Sequence, residues 1–105
     1  MTIQLDPQGA ETQALFDFAG SFTGKRLLEI GCGDGRLTWR YAPQAARVTA
    51  IDPNPEKIAR ARQNLPPALR RKVSLHVTGL EEFAAKWLAR RNPRPFDLAL
   101  LSWSL

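Results

Sequence analysis

The sequence predicts an α/β protein in which helices cover both faces of a parallel sheet. Three observations carry that reading. First, runs of strand length alternate along the 105 residues with segments of helical periodicity, and the connections are short. Short alternation of this kind makes the strands parallel, with right-handed helical crossovers. Second, the apolar run Leu27 to Ile30 is stopped by Gly31, Gly33 and Gly35 before a helical segment begins. Strand, glycine turn, helix is the opening of a nucleotide-binding α/β unit, because glycine accepts positive φ and lets a ligand lie against the backbone. Third, the run Phe96 to Leu105 has almost no polar alternation, as in a strand buried on both faces.

Each element has its own local reason. Asp6-Pro7 has the form of a helix start, N-cap then N1 proline, and Ala14, Leu15, Phe18, Ala19 and Phe22 recur at helical spacing up to about Gly24. Strand 1 is placed at about Arg26 to Ile30, and helix A at about Arg36 to Ala42. Arg47 to Ile51 is β-rich and forms strand 2, ending at Asp52. Asn54-Pro55 starts a second helix with Ile58, Ala61 and Leu65 on one face, and Pro66-Pro67 ends it. Lys72 to Val77 alternates and forms strand 3. Thr78 and Glu81 have the spacing of a capping box, followed by Leu80, Phe83, Ala84, Trp87 and Leu88 at helical spacing up to Asn92-Pro93. Phe96 to Leu105 is strand 4.

Composition narrows the class. With 44% hydrophobic and 24% charged residues, residues 1–105 make one small globular domain. No apolar run approaches the roughly 20 residues that span a bilayer, and the N-terminus lacks a secretory pattern. The single cysteine, Cys32, excludes an internal disulfide and fits a reducing cytoplasm. It lies inside the glycine turn as a small packed residue, with no neighbouring histidine to make a thiolate. The net charge is +5, yet the arginines are dispersed along the sequence and read as solvated helix faces and ends. The lone His76 has no second histidine to share a metal, and no metal site is expected.

In open parallel sheets the ligand sits beyond the carboxyl ends of the strands. Those positions hold Gly31 to Gly35, Asp52-Pro53, Thr78 to Glu81 and Ser102 to Ser104. Asp52 follows the first glycine by about twenty residues, the spacing at which a carboxylate accepts from ribose hydroxyls; a plain helix-start acid is the other reading. Glu29 is an acid at the end of a buried strand and needs partners there. The third glycine is Gly35, with Arg36 where the dinucleotide pattern G-x-G-x-x-G needs glycine, which argues against a nicotinamide-dependent oxidoreductase.

Glu29 with the G-x-G-x-G turn resembles motif I of the class I S-adenosylmethionine-dependent methyltransferases, and Ala50-Ile51-Asp52-Pro53-Asn54 resembles their motif II. The resemblance implies a Rossmann-like three-layer sandwich with strand order 3-2-1-4, incomplete because the C-terminal strands of the seven are absent. It implies S-adenosyl-L-methionine as cofactor and methyl transfer as the reaction. The cofactor-binding residues it implies are Glu29, Gly31, Cys32, Gly33, Gly35, Asp52, Pro53, Gly79, Leu80 and Ser102. Among these Pro53 flanks the adenine, Leu80 packs on the ring, and Glu29 and Ser102 face the methionine portion. Where the family carries an acid for the adenine amino group, this chain has Gly79. Ser102-Trp103-Ser104 does not read as the Asn/Asp-Pro-Pro-Tyr of enzymes that methylate exocyclic amines of DNA bases. No residue is marked as a general base, so no catalytic residue is assigned. The acceptor stays open among a small molecule, which comes first, RNA and protein. A non-catalytic cofactor-binding or interaction module on the same scaffold is the alternative. Strand 4 would form an open edge, as in a truncated sequence or a chain whose strand 4 is covered by a second chain.

Overall fold

A computed structural model describes residues 2–6 and 22–102 of the chain. Five strands, β1 (Thr2–Asp6), β2 (Arg26–Ile30), β3 (Arg47–Asp52), β4 (Val73–Val77) and β5 (Leu98–Ser102), form one sheet in the order β1-β5-β2-β3-β4. Every pairing is parallel. The four strands read from the sequence are β2 to β5, and they lie in the expected order 3-2-1-4.

The fifth strand is additional to the four read from the sequence. Asp6 is its last residue, and β1 lies along β5 from Thr2↔Leu98 to Asp6↔Ser102; the helix expected to start at Asp6-Pro7 runs into residues outside the described ones. The β5 edge, expected to be open as in a truncated sequence or covered by a second chain, is paired with this chain's own β1. The physical reason is the row of unpaired N–H and C=O groups that β5 would otherwise present. The rest of the expected first helix, with Ala14, Leu15, Phe18 and Ala19, lies outside the described residues, as do Trp103 to Leu105 at the end of expected strand 4.

Helix α1 (Thr38–Tyr41) is shorter than the expected Arg36 to Ala42, because the glycine turn runs on through Leu37. Helix α2 (Pro55–Asn64) starts as expected, with the Asn54 side chain accepting from the N–H groups of Glu56 and Lys57. Helix α3 (Leu80–Leu88) starts one residue later than the capping box predicts, with Gly79 as N-cap. The Thr78 N–H donates to the Asp52 carbonyl at 3.0 Å, which holds Thr78 at the end of the sheet. Its hydroxyl donates to the Gly79 carbonyl at 3.1 Å.

The two faces of the sheet are filled differently. Leu27, Val48, Ala50, Val73, Leu75, Leu98 and Leu100 point to one face and pack under Tyr41 of α1 and Ile58 and Ala61 of α2. On the other face, among the described residues, Leu28, Ile51 and Ala99 form the buried cluster, with Ile30, Phe83 and Phe96 packed against them. No residue of α3, the helix on this side, is fully buried. Among the described residues no helix is long and apolar enough to cross a membrane.

Candidate cofactor site and family membership

The parallel register brings the carboxyl ends of β2, β3, β4 and β5 together, and the glycine turn joins them. The Gly31 and Cys32 N–H groups both donate to the Ile51 carbonyl, at 2.8 and 3.1 Å. Gly31 has φ +78°, and a Cβ there would sit 2.4 Å from the Ser102 carbonyl oxygen. Any side chain would drive β2 and β5 apart. Gly35 (φ +90°) is covered by the Trp39 ring, which a Cβ would meet at 2.3 Å.

Asp52 ties the turn to β3. Its Oδ2 accepts from the Gly33 N–H at 3.0 Å, and its Oδ1 accepts from the Asn54 N–H at 2.8 Å. Each oxygen keeps acceptor capacity, since a carboxylate offers about four lone-pair sites. Pro53 follows, exposed. Gly79 and Leu80 begin α3 beside the Thr78–Asp52 bond, and Leu80 stays 44% exposed, unusual for a large apolar side chain. Gly79 has ordinary backbone geometry, and a Cβ there would meet nothing within 4 Å. The fold itself does not require glycine at this position.

Glu29 is wholly buried beneath the turn. Its Oε1 accepts from the Thr38 hydroxyl at 2.5 Å and from the Tyr41 hydroxyl, and its Oε2 accepts from Ser102 Oγ at 2.7 Å. These hydroxyls answer the cost of enclosing a carboxylate. Burial, and then the Glu29 charge, push the Tyr41 hydroxyl well above the usual phenol range. Thr38 and Tyr41 were not singled out from the sequence. The available signal was a hydroxyl pair at i, i+3, which a helix turns to one side. Cys32 is buried, its Sγ 3.7 Å from the Gly33 carbonyl. Burial first, then Glu29 and Asp52, raise its thiol far above the ordinary range, the reverse of what a nucleophilic thiolate needs. Of the implied site residues, Gly31, Gly33, Asp52, Glu29 and Ser102 are joined by direct contacts.

A family model described as a methyltransferase domain matches residues 28–105. The chain belongs to this methyltransferase family. A magnesium-protoporphyrin O-methyltransferase of Rhodobacter capsulatus is 47% identical over 55 residues, which cover 52% of this chain and 25% of that protein. A ubiquinone biosynthesis O-methyltransferase of Paraburkholderia phymatum is 39% identical over 83 residues, 79% of this chain and 33% of that one. The chain thus spans a quarter to a third of these curated relatives. Among solved structures, a precorrin 8W decarboxylase of Methanobacterium thermoautotrophicum superposes with a TM-score of 0.68 at 26% identity, over 88% of this chain and 47% of that one. A Streptococcus mutans protein solved in complex with SAH shares the fold, with a TM-score of 0.67 at 17% identity over 91% of this chain and 52% of that one. The matched segment of the methyltransferase domain takes in the glycine turn, Asp52, Gly79 and Ser102.

Proposed function

We propose that this chain is the S-adenosylmethionine-binding portion of a methyltransferase, and that the crevice at the carboxyl ends of β2 to β5 holds the cofactor. The observation that carries the reading is the junction of Gly33 and Asp52, which sets a carboxylate with spare acceptor sites directly against a side-chain-free turn. Asp52 accepts from the two ribose hydroxyls. Pro53 and the exposed Leu80 offer apolar surface to the adenine, and Gly79 leaves room beside its amino group. Gly31, Cys32, Gly33 and Gly35 supply a turn whose backbone the ligand can approach. Ser102 lies toward the methionine portion. Glu29 acts through it, as a positioning residue that fixes the Ser102 hydroxyl between β2 and β5. The cofactor when bound supplies an electrophilic methyl group; the residues here bind and orient it. The acceptor belongs to the class the whole protein serves, with a small molecule first, since the curated relatives are named for ubiquinone and porphyrin methylation. The compartment proposed is the cytoplasm.

Calorimetric titration with S-adenosylhomocysteine, with NAD as control, tests the site. The expected result is saturable binding of the first ligand only, weakened at least about tenfold in Asp52→Asn, which keeps the side-chain size. Gly79→Asp, which places an acid where the family has one, should tighten binding. Binding of NAD in its place, or unchanged affinity in Asp52→Asn, would overturn the assignment.

A further inference from the structure

The arginines that look dispersed in sequence are gathered by the fold around α3. Two adjoining cavities of about 270 and 240 Å³ lie between α3 and the sheet, and they share His76, Phe83, Trp87 and Arg90. Together they make one groove. It runs from Thr78, at the carboxyl end of β4, to Arg26 and Arg47, at the amino ends of β2 and β3. That is four to five residues of strand, about 15 Å. Six cations line it: Arg26, Arg47, Arg62, Lys86, Arg90 and Arg94. Among the described residues no aspartate or glutamate does.

The charge is poorly compensated. Arg62 donates to the Leu75 carbonyl, Arg47 to the Arg71 carbonyl and Ser74 Oγ, and Arg26 to the Pro95 carbonyl, all neutral acceptors. Lys86 pairs with Glu82 at 3.0 Å on the exposed side of α3. Among the described residues Arg90 and Arg94 form no ion pair. The nearby Asp97 carboxylate accepts from the Arg26 N–H at 2.8 Å and acts favourably on the Arg26 guanidinium. Burial, then repulsion from Arg94 and Arg47, lower the Arg26 guanidinium below its usual range despite Asp97.

The floor of the groove is aromatic. His76, Phe83, Phe96 and Trp87 follow one another with ring centroids 6.5, 6.2 and 5.6 Å apart, and Trp87 and Phe96 lie stacked. The Arg26 guanidinium sits 5.9 Å over Phe96. Partly exposed rings beside Arg90 and Arg94, which form no ion pair among the described residues, suit a ligand that offers flat faces and repeated negative charge together. A single-stranded nucleic acid does so; a duplex hides its base faces. We propose that this groove binds single-stranded nucleic acid, with phosphates on Arg26, Arg90 and Arg94 and a base stacked on the Trp87–Phe96 ladder. The proposal is independent of the cofactor crevice, which lies at the carboxyl ends of the strands.

The test is a fluorescence-anisotropy titration of the full chain with a labelled ten-nucleotide single-stranded RNA, repeated with DNA of the same sequence and with the annealed duplex. Single strands of either sugar should bind, more tightly than the duplex, and binding should fall steeply with added salt. The double variant Arg90→Glu/Arg94→Glu should weaken binding about tenfold or more. Trp87→Ala should weaken it about tenfold through lost stacking. The double variant Arg60→Glu/Arg70→Glu, which changes the net charge equally outside the groove, should change it far less. Absence of binding at low salt, equal binding of duplex, displacement by millimolar inorganic phosphate, or equal loss in the two double variants would each overturn the proposal. S-adenosylhomocysteine affinity, measured on the same variants, should not move.

Discussion

The two faces of one sheet, built from alternate residues of the same strands, are put to different uses. On the α1/α2 face, β3 and β4 present Val48, Ala50, Val73 and Leu75, all buried. On the α3 face the intervening positions are Thr49, Ser74 and His76, which line a groove. Only toward the sheet's middle does that second face become apolar, at Leu28, Ile51 and Ala99. The first face carries the closed core and the buried Glu29 that organises the glycine turn. The second has polar strand positions, partly exposed aromatic rings and arginines that bond to neutral acceptors or, at Arg90 and Arg94, form no ion pair among the described residues.

The largest effect expected is at Glu29. Glu29→Ala leaves the Thr38, Tyr41 and Ser102 hydroxyls without their acceptor inside the core, and should cost about 3–5 kcal/mol in urea unfolding. Glu29→Gln keeps an acceptor and should cost less. A loss for Glu29→Ala within about 0.5 kcal/mol of zero, the range of ordinary surface changes, would break the account of the first face. Next comes packing. Ile58→Ala, on the buried side of α2, should cost about 2–4 kcal/mol. Leu88→Ser, at a residue 67% exposed on α3, should stay within about 0.5 kcal/mol. Equal costs in the same unfolding assay would erase the contrast between the faces.

The smallest effects are in pH dependence, and they have opposite signs. Tyr41 holds its proton more tightly folded than unfolded, so its contribution is present below about pH 10 and is lost as pH rises past that ordinary phenol value. His76 is lowered by burial, then by Arg62 and Arg90. As pH falls through about 6.5 the unfolded chain takes this proton first, and stability drops on the acid side. Its partial exposure screens the effect, so the drop is small. Thermal melts at pH 5.5, 7.5 and 10.5 should show Tyr41→Phe flattening the alkaline fall and His76→Gln the acid one. The reverse pairing would contradict the burial assigned to each face.

The sheet order and the local geometry of the crevice were legible because they rest on strong local signals. The structure has the glycine turn after the apolar run of β2, the N-cap and N1 proline at Asn54-Pro55, and Asp52 at the end of β3 bonded to the turn. β1 was not, because Thr2–Asp6 alternates over only five residues and its pairing with β5 is set by contact across the chain's length. The capping box failed through a similar remote contact, the Thr78 bond to Asp52. The partners of Glu29 and the gathering of arginines are products of tertiary structure. Spacing in sequence shows which residues share a helix side, but not which strand positions three loops away will face them.

Where the cofactor binds is read most directly by an amide and indole NMR titration of the labelled chain with S-adenosylhomocysteine. Shifts are expected at Gly31, Gly33, Gly35, Asp52 and Gly79, with the Trp87 indole and the Arg90 amide unmoved. Shifts centred on Trp87 and Arg90, with the glycine turn silent, would contradict the proposed site by placing the cofactor on the wrong face of the sheet.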